Sequence, residues 1–92
     1  MSEITDHVAA HRFELLEDGK LAFAEYRIEG NTLVIPYVES DPALRGKGTA
    51  GRLMDGVLKT ARERGLKVLP ICGYAAAYLQ RHPEYHDLRA GG

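Results

Sequence analysis

The chain has 92 residues, one cysteine, and 12 Lys and Arg set against 13 Asp and Glu, for a net charge of −1. That length makes a single domain over residues 1–92, with a core from about 11 to 88, burying roughly two-thirds of its unfolded surface without metal or disulfide. The lone Cys72 excludes an intrachain disulfide. The near-neutral charge argues against a nucleic-acid binder, and no run reaches the ~20 apolar residues that span a bilayer, so a cytoplasmic protein without membrane contact is expected.

The segment His11 to Glu17 alternates loosely and reads as a strand that ends at Asp18-Gly19, a hairpin signal. Lys20 to Glu29, with Leu21, Phe23, Tyr26 and Ile28, is the second strand, and Gly30-Asn31 closes a second hairpin. Thr32 to Glu39 is β-branched and aromatic, hence a third strand. Its Pro36 has no N–H to give a ladder, so the strand is unpaired on one side there or bulged. After a loop, Ala50, Leu53, Met54, Val57, Leu58 and Ala61 recur at the spacing of one helical face, and Gly65 sits where a helix would end. Leu66 to Cys72 reads as a short buried strand, joined to the third by one helix and so parallel to it. Gly73 to Arg81 reads as a second helix stopped by His82-Pro83. Glu84 to Leu88 packs as a turn, and Arg89 to Gly92 is expected to fray. The order β-β-β-α-β-α describes an α/β (α+β-like) domain of three antiparallel strands and a parallel fourth.

The loop before the first helix carries the chemistry. Gly46 and Gly48 flank Lys47, Arg45 precedes them, and Thr49-Ala50 opens the helix. Glycines let successive N–H groups converge on one point, and a helix start adds unpaired donors and positive partial charge. With two cations alongside, the pattern fits a phosphate or pyrophosphate. Gly46-x-Gly48-x-x-Gly51 matches the dinucleotide fingerprint only formally, because Ser40 to Leu44 separates it from the strand and the next strand ends in Ile71-Cys72 rather than an acid. A P-loop is excluded because Gly48, not Ser or Thr, follows Lys47. A plain structural turn is the competing reading.

Arg45-x-x-Gly48-x-Ala50 resembles the Arg/Gln-x-x-Gly-x-Gly/Ala signature of the GCN5-related N-acetyltransferases. The run Asp41 to Gly48, Cys72-Gly73-Tyr74 and Arg81-His82-Pro83-Glu84-Tyr85 resembles a small single-domain branch of that family, over about His11 to Leu88. The resemblance implies a minimal acetyltransferase fold whose fourth strand splays from the third, with acetyl-CoA or coenzyme A as co-substrate and no metal. The amides of Arg45, Gly46, Lys47, Gly48, Thr49 and Ala50 would take its pyrophosphate. The main chain of Tyr37, Val38, Glu39 and Ser40 would pair with the pantetheine arm, and Gly73, Tyr74 and Tyr78 would border it.

Catalytic candidates follow from the same resemblance. Cys72, at a strand end before a helix, is an acyl-accepting thiol or a small buried residue. Glu39 is the candidate base, and Tyr78 or Tyr74 the group that protonates the departing sulfur. The acceptor would be an amine on a small molecule or protein, and the chain a monomer or weak dimer. The alternative is a non-catalytic acyl-CoA-binding or protein-interaction module. His82 and His86 share i, i+4 spacing, but Pro83 breaks the helix between them, so capping is expected rather than metal binding. Arg52, Lys59, Arg62, Arg64 and Lys67 read as a solvated helix face.

Overall fold

A computed structural model describes residues 4–91. Five strands form one sheet in chain order: β1 (Ile4–His7), β2 (Arg12–Glu17), β3 (Lys20–Glu29), β4 (Thr32–Ser40) and β5 (Lys67–Pro70). β1 to β4 pair antiparallel, and β5 runs parallel to β4. Helix α1 (Thr49–Glu63) makes the crossover and helix α2 (Gly73–Arg81) follows β5.

Most of this architecture follows from local chemistry. At the β2–β3 turn both Asp18 (φ 53°) and Gly19 (φ 72°) lie in the left-handed region, the geometry an Asp-Gly hairpin favours. The apolar stripe of α1 is fully buried at Leu53, Met54, Val57, Leu58 and Ala61, against Phe13, Leu15, Ala22, Ala24 and Leu33 of the sheet. Each large side chain there contributes roughly 1.5–3 kcal/mol by leaving water.

Three features differ from the sequence reading. β1 precedes the first strand expected, pairing Ile4 with Leu15 through His7 with Arg12. Its four residues carry a single apolar side chain, too short a pattern to register as a strand; packing of Ile4 against α1 supplies what the pattern lacks. β5 ends at Pro70 rather than Cys72: the Ile71 amide makes the last ladder bond, to the Ile35 carbonyl at 3.0 Å, and the Cys72 amide turns back to that same carbonyl at 3.0 Å instead of advancing along β4. The C-terminal tail does not fray at its start: Arg89 bridges Val68, and the Ala90 amide donates to the Val68 carbonyl at 2.9 Å, covering the outer edge of β5. Gly92 lies outside the described residues.

Pro36 has the bulge that its missing N–H predicts. Between the pairs Glu25–Tyr37 and Arg27–Val34, two residues of β4 oppose the single Tyr26 of β3, a bulge at Ile35-Pro36. On the other side, parallel pairing with β5 stops at Ile35–Pro70, while β4 continues to Ser40. β5 ends there, and the rest of β4 runs on without a strand beside it on that side among the described residues.

Candidate functional site

A pocket of about 360 Å³ opens at the start of α1, lined by the end of β4, the glycine loop, the first turn of the helix and Tyr74. The loop's backbone explains its shape. Asp41 caps a short 3-10 turn, Pro42–Leu44, by accepting from the Ala43 amide at 2.8 Å, and Leu44 is anchored in the core. Gly46 (φ 83°) and Gly48 (φ 75°) then take conformations that a Cβ disfavours. The first helical bond is Arg52 N–H to the Gly48 carbonyl at 3.0 Å. Among the described residues, nothing accepts from the N–H groups of Gly46, Gly48, Thr49, Ala50 or Gly51. Five donors are therefore left unpaired at the positive end of a 15-residue helix, beside the pocket.

The two loop cations differ. Arg45 lines the pocket and has no ion-pair partner among the described residues. Lys47 is held by Asp18 at 2.8 Å across the β2–β3 turn, which raises the lysine's pKa and lowers the aspartate's. Arg52 pairs with Glu17, and the buried Thr49 donates its hydroxyl to the same carboxylate at 2.9 Å. The two acids of the hairpin are thus part of the loop's surroundings. The sequence reading missed them, because a hairpin signal reports only on neighbours and these contacts span 29 to 35 residues.

Cys72 is the N-cap residue of α2, half-buried against the core at the point where β5 ends and leaves a gap beside β4. Across the gap, Tyr37 is exposed and donates its hydroxyl to Glu39. That hydrogen bond, and next the carboxylate's charge, raise the Tyr37 pKa, with Cys72 close enough to add to the effect. On α2, Tyr74 reaches the pocket, and burial raises its pKa. Tyr78 sits one turn on, against Gly51 of α1, and stacks on His82 at 3.8 Å. Burial first, then the charge of Asp55, push its pKa up to about 12, so it is a neutral donor at ordinary pH. The pocket lining thus includes Ser40, Arg45, Gly46, Gly48, Thr49, Ala50 and Tyr74; Val38, Glu39, Lys47, Gly73 and Tyr78 lie outside it, as do Cys72 and Tyr37 at the strand gap.

The remaining polar candidates serve the fold. His82 Nδ1 lies 2.7 Å from the Tyr78 carbonyl, and His86 Nε2 lies 3.0 Å from the Gln80 carbonyl, both C-terminal to α2. The basic face expected to be solvated is paired: Lys59 with Asp55, Arg62 with Asp87, Arg64 with Asp6, while Lys67 donates to the Asp87 carbonyl. Among the described residues, no three His, Cys, Asp or Glu side chains gather as a metal site, and no helix is long and apolar enough to cross a membrane.

The profile of the GCN5-related N-acetyl-transferase family matches residues 12–88, and the chain belongs to that family. Among solved structures it is similar to a GCN5-like protein from Staphylococcus aureus, determined by NMR in solution. The two are 26% identical with a TM-score of 0.71, and the match covers 99% of this chain and 90% of that one. No curated protein matches the chain. The resemblance carried by Arg45-x-x-Gly48-x-Ala50 and the α/β fold that it implied both hold, and acyl transfer is the chemistry of the family.

Proposed function

We propose that the chain is a single acyl-CoA-binding domain that transfers an acyl group, acetyl in the first instance, to an amine acceptor. The observation that carries this reading is the set of unpaired N–H groups of Gly46, Gly48, Thr49, Ala50 and Gly51 beside a pocket that Arg45 also lines, while the amides of Arg45 and Lys47 are held by the Pro42 and Leu44 carbonyls at 3.1 Å. Convergent amides, a helix start and one free guanidinium match the charge and size of a pyrophosphate. Tyr37, Val38, Glu39 and Ser40, freed from β5, offer backbone groups to a pantetheine arm lying in the gap. Gly73, Tyr74 and Tyr78 border that gap from α2, and Lys47, Thr49 and Ala50 complete the phosphate loop.

The bound thioester would supply an activated acyl carbonyl near Cys72. Glu39 would take the proton from an attacking amine, its carboxylate held in place by the Tyr37 hydroxyl. Tyr78, or Tyr74, both protonated at neutral pH, would donate to the departing sulfur. A thiol at Cys72 would be a first acceptor if the acyl group passes through the protein before reaching the amine.

Calorimetry with coenzyme A and acetyl-CoA tests the binding claim, which predicts an affinity in the micromolar-to-millimolar range. Absence of binding removes the cofactor reading. Intact mass after incubation with acetyl-CoA tests the covalent route: an added acetyl group in the wild type and none in Cys72→Ala is the expected result. An unmodified wild type that still acetylates amines would show direct transfer; no adduct and no turnover would leave a binding module.

A further inference from the structure

We propose that Glu17, the last residue of β2, is the positioning residue of the phosphate loop and holds the Lys47–Gly48 peptide with its N–H toward the pocket. The inference rests on the pyrophosphate reading above. Glu17 Oε1 accepts from the Thr49 hydroxyl at 2.9 Å and from the Arg52 guanidinium, and the other arm of that guanidinium donates to the Lys47 carbonyl at 3.0 Å. In a trans peptide the C=O and the following N–H point in opposite directions. Drawing the Lys47 carbonyl to Arg52 therefore turns the Gly48 N–H away from Arg52, and Gly48 lines the pocket.

The chain of contacts is anchored at both ends. Thr49 is 1% exposed, the one buried polar residue of the described chain, and its hydroxyl has Glu17 as acceptor. Glu17 in turn is fixed by its pairing with Lys20 beside the Asp18-Gly19 turn. Glu17 does not line the pocket, and its Oε1 is occupied by two donors, so it acts on a ligand through Thr49 and Arg52.

The proposal makes a prediction opposite in sign to simple electrostatics. Removing an acid close to an anion site would strengthen anion binding if charge alone mattered. If Glu17 aims the loop, removing it weakens binding despite the lost repulsion. The variants are Glu17→Ala, Glu17→Gln and, as a control for charge, Asp18→Asn, which frees the exposed Lys47 without touching Thr49 or Arg52. Each is titrated with coenzyme A and with pantetheine, which lacks phosphate, and the Gly48 amide is followed by NMR in the free protein.

Expected are losses of coenzyme A affinity of about tenfold for Glu17→Ala and about threefold for Glu17→Gln, the scale of one lost charge-assisted hydrogen bond. Pantetheine affinity should be unchanged, Asp18→Asn should bind at least as tightly as the wild type, and the Gly48 amide should shift in both Glu17 variants. Unchanged or tighter coenzyme A binding in the Glu17 variants overturns the proposal, as does an equal loss for pantetheine. If Glu17→Ala does not fold, Glu17→Gln decides by the same readings. If the wild type binds no coenzyme A, the pyrophosphate reading has failed, and the Gly48 amide still tests whether Glu17 sets the loop: an unmoved resonance overturns it.

Discussion

The two ends of α1 are built on opposite plans. At the C-terminal end the carbonyls of Thr60, Ala61 and Arg62 are all engaged. Arg64 caps the helix, Gly65 (φ 71°) takes the left-handed position, the Gly65 amide returns to the Arg62 carbonyl at 3.2 Å, and the Leu66 amide to the Ala61 carbonyl at 2.8 Å. This is a Schellman closure, with Leu66 packed on the core. Asp6 of β1 then joins the Arg64 guanidinium at 2.9 Å to the Tyr26 hydroxyl at 2.6 Å. The N-terminal end also begins with a left-handed glycine, Gly48, yet no side chain caps it and its amides stay open. The same backbone device closes one end for stability and leaves the other with its amides unpaired.

The largest effect expected from this contrast is at the two glycines. Gly48→Val should lower coenzyme A affinity at least about tenfold, or about 1.4 kcal/mol, because a β-branched residue at φ 75° must swing the loop amides aside. Gly65→Val, at nearly the same φ, should cost roughly 1–2 kcal/mol of stability and leave affinity unchanged. Calorimetry and thermal melts on both variants separate the outcomes, and equal losses of affinity would erase the distinction between the ends.

A smaller effect sharpens the closed end. Burial, then the bond to Asp6, push the Tyr26 pKa up to about 12 from 10.0. A folded-state pKa raised above the unfolded one means that the neutral phenol stabilises the fold fully below pH 10, and that this contribution is lost as pH climbs to about 12. Melting temperature measured from neutral pH upward should fall through that window, and Tyr26→Phe should flatten part of the fall. A slope unchanged by the substitution would show that the raised pKa of Tyr26, from burial and the Asp6 bond together, contributes nothing to the fall.

The smallest effect lies midway along the helix. A Cβ on Gly56 would sit 2.9 Å from Ile4 Cγ2. Gly56→Ala gains about 0.8–1 kcal/mol of helix propensity but must push Ile4 aside, so global stability should move by less than about 1 kcal/mol. Amide exchange in β1 should quicken, and unaltered exchange there would mean that Ile4 does not hold the strand.

The reach of local chemistry is plain in particular elements. Lys20–Glu29 and Gly73–Arg81 stand at the bounds their composition predicts, because alternation, an Asp-Gly turn and a proline stop all act on neighbouring residues. Pro36 foretold the bulge, since a missing N–H is a covalent property, and the pairing of β4 with β5 ends one residue before it. Likewise Gly46 and Gly48 marked the left-handed turns that open α1, through backbone freedom alone.

What the chain order could not contain is who meets whom. β1 has too little apolar pattern to be a strand alone and exists because Gly56 leaves room for Ile4. Glu17 and Asp18 read as turn residues, and only folding brings them to Thr49, Arg52 and Lys47. The sequence by itself determined the elements and the glycine loop, through torsional preference and periodic burial. The tertiary structure decided which cations stay free and which way the amides face, because both depend on partners some thirty residues away.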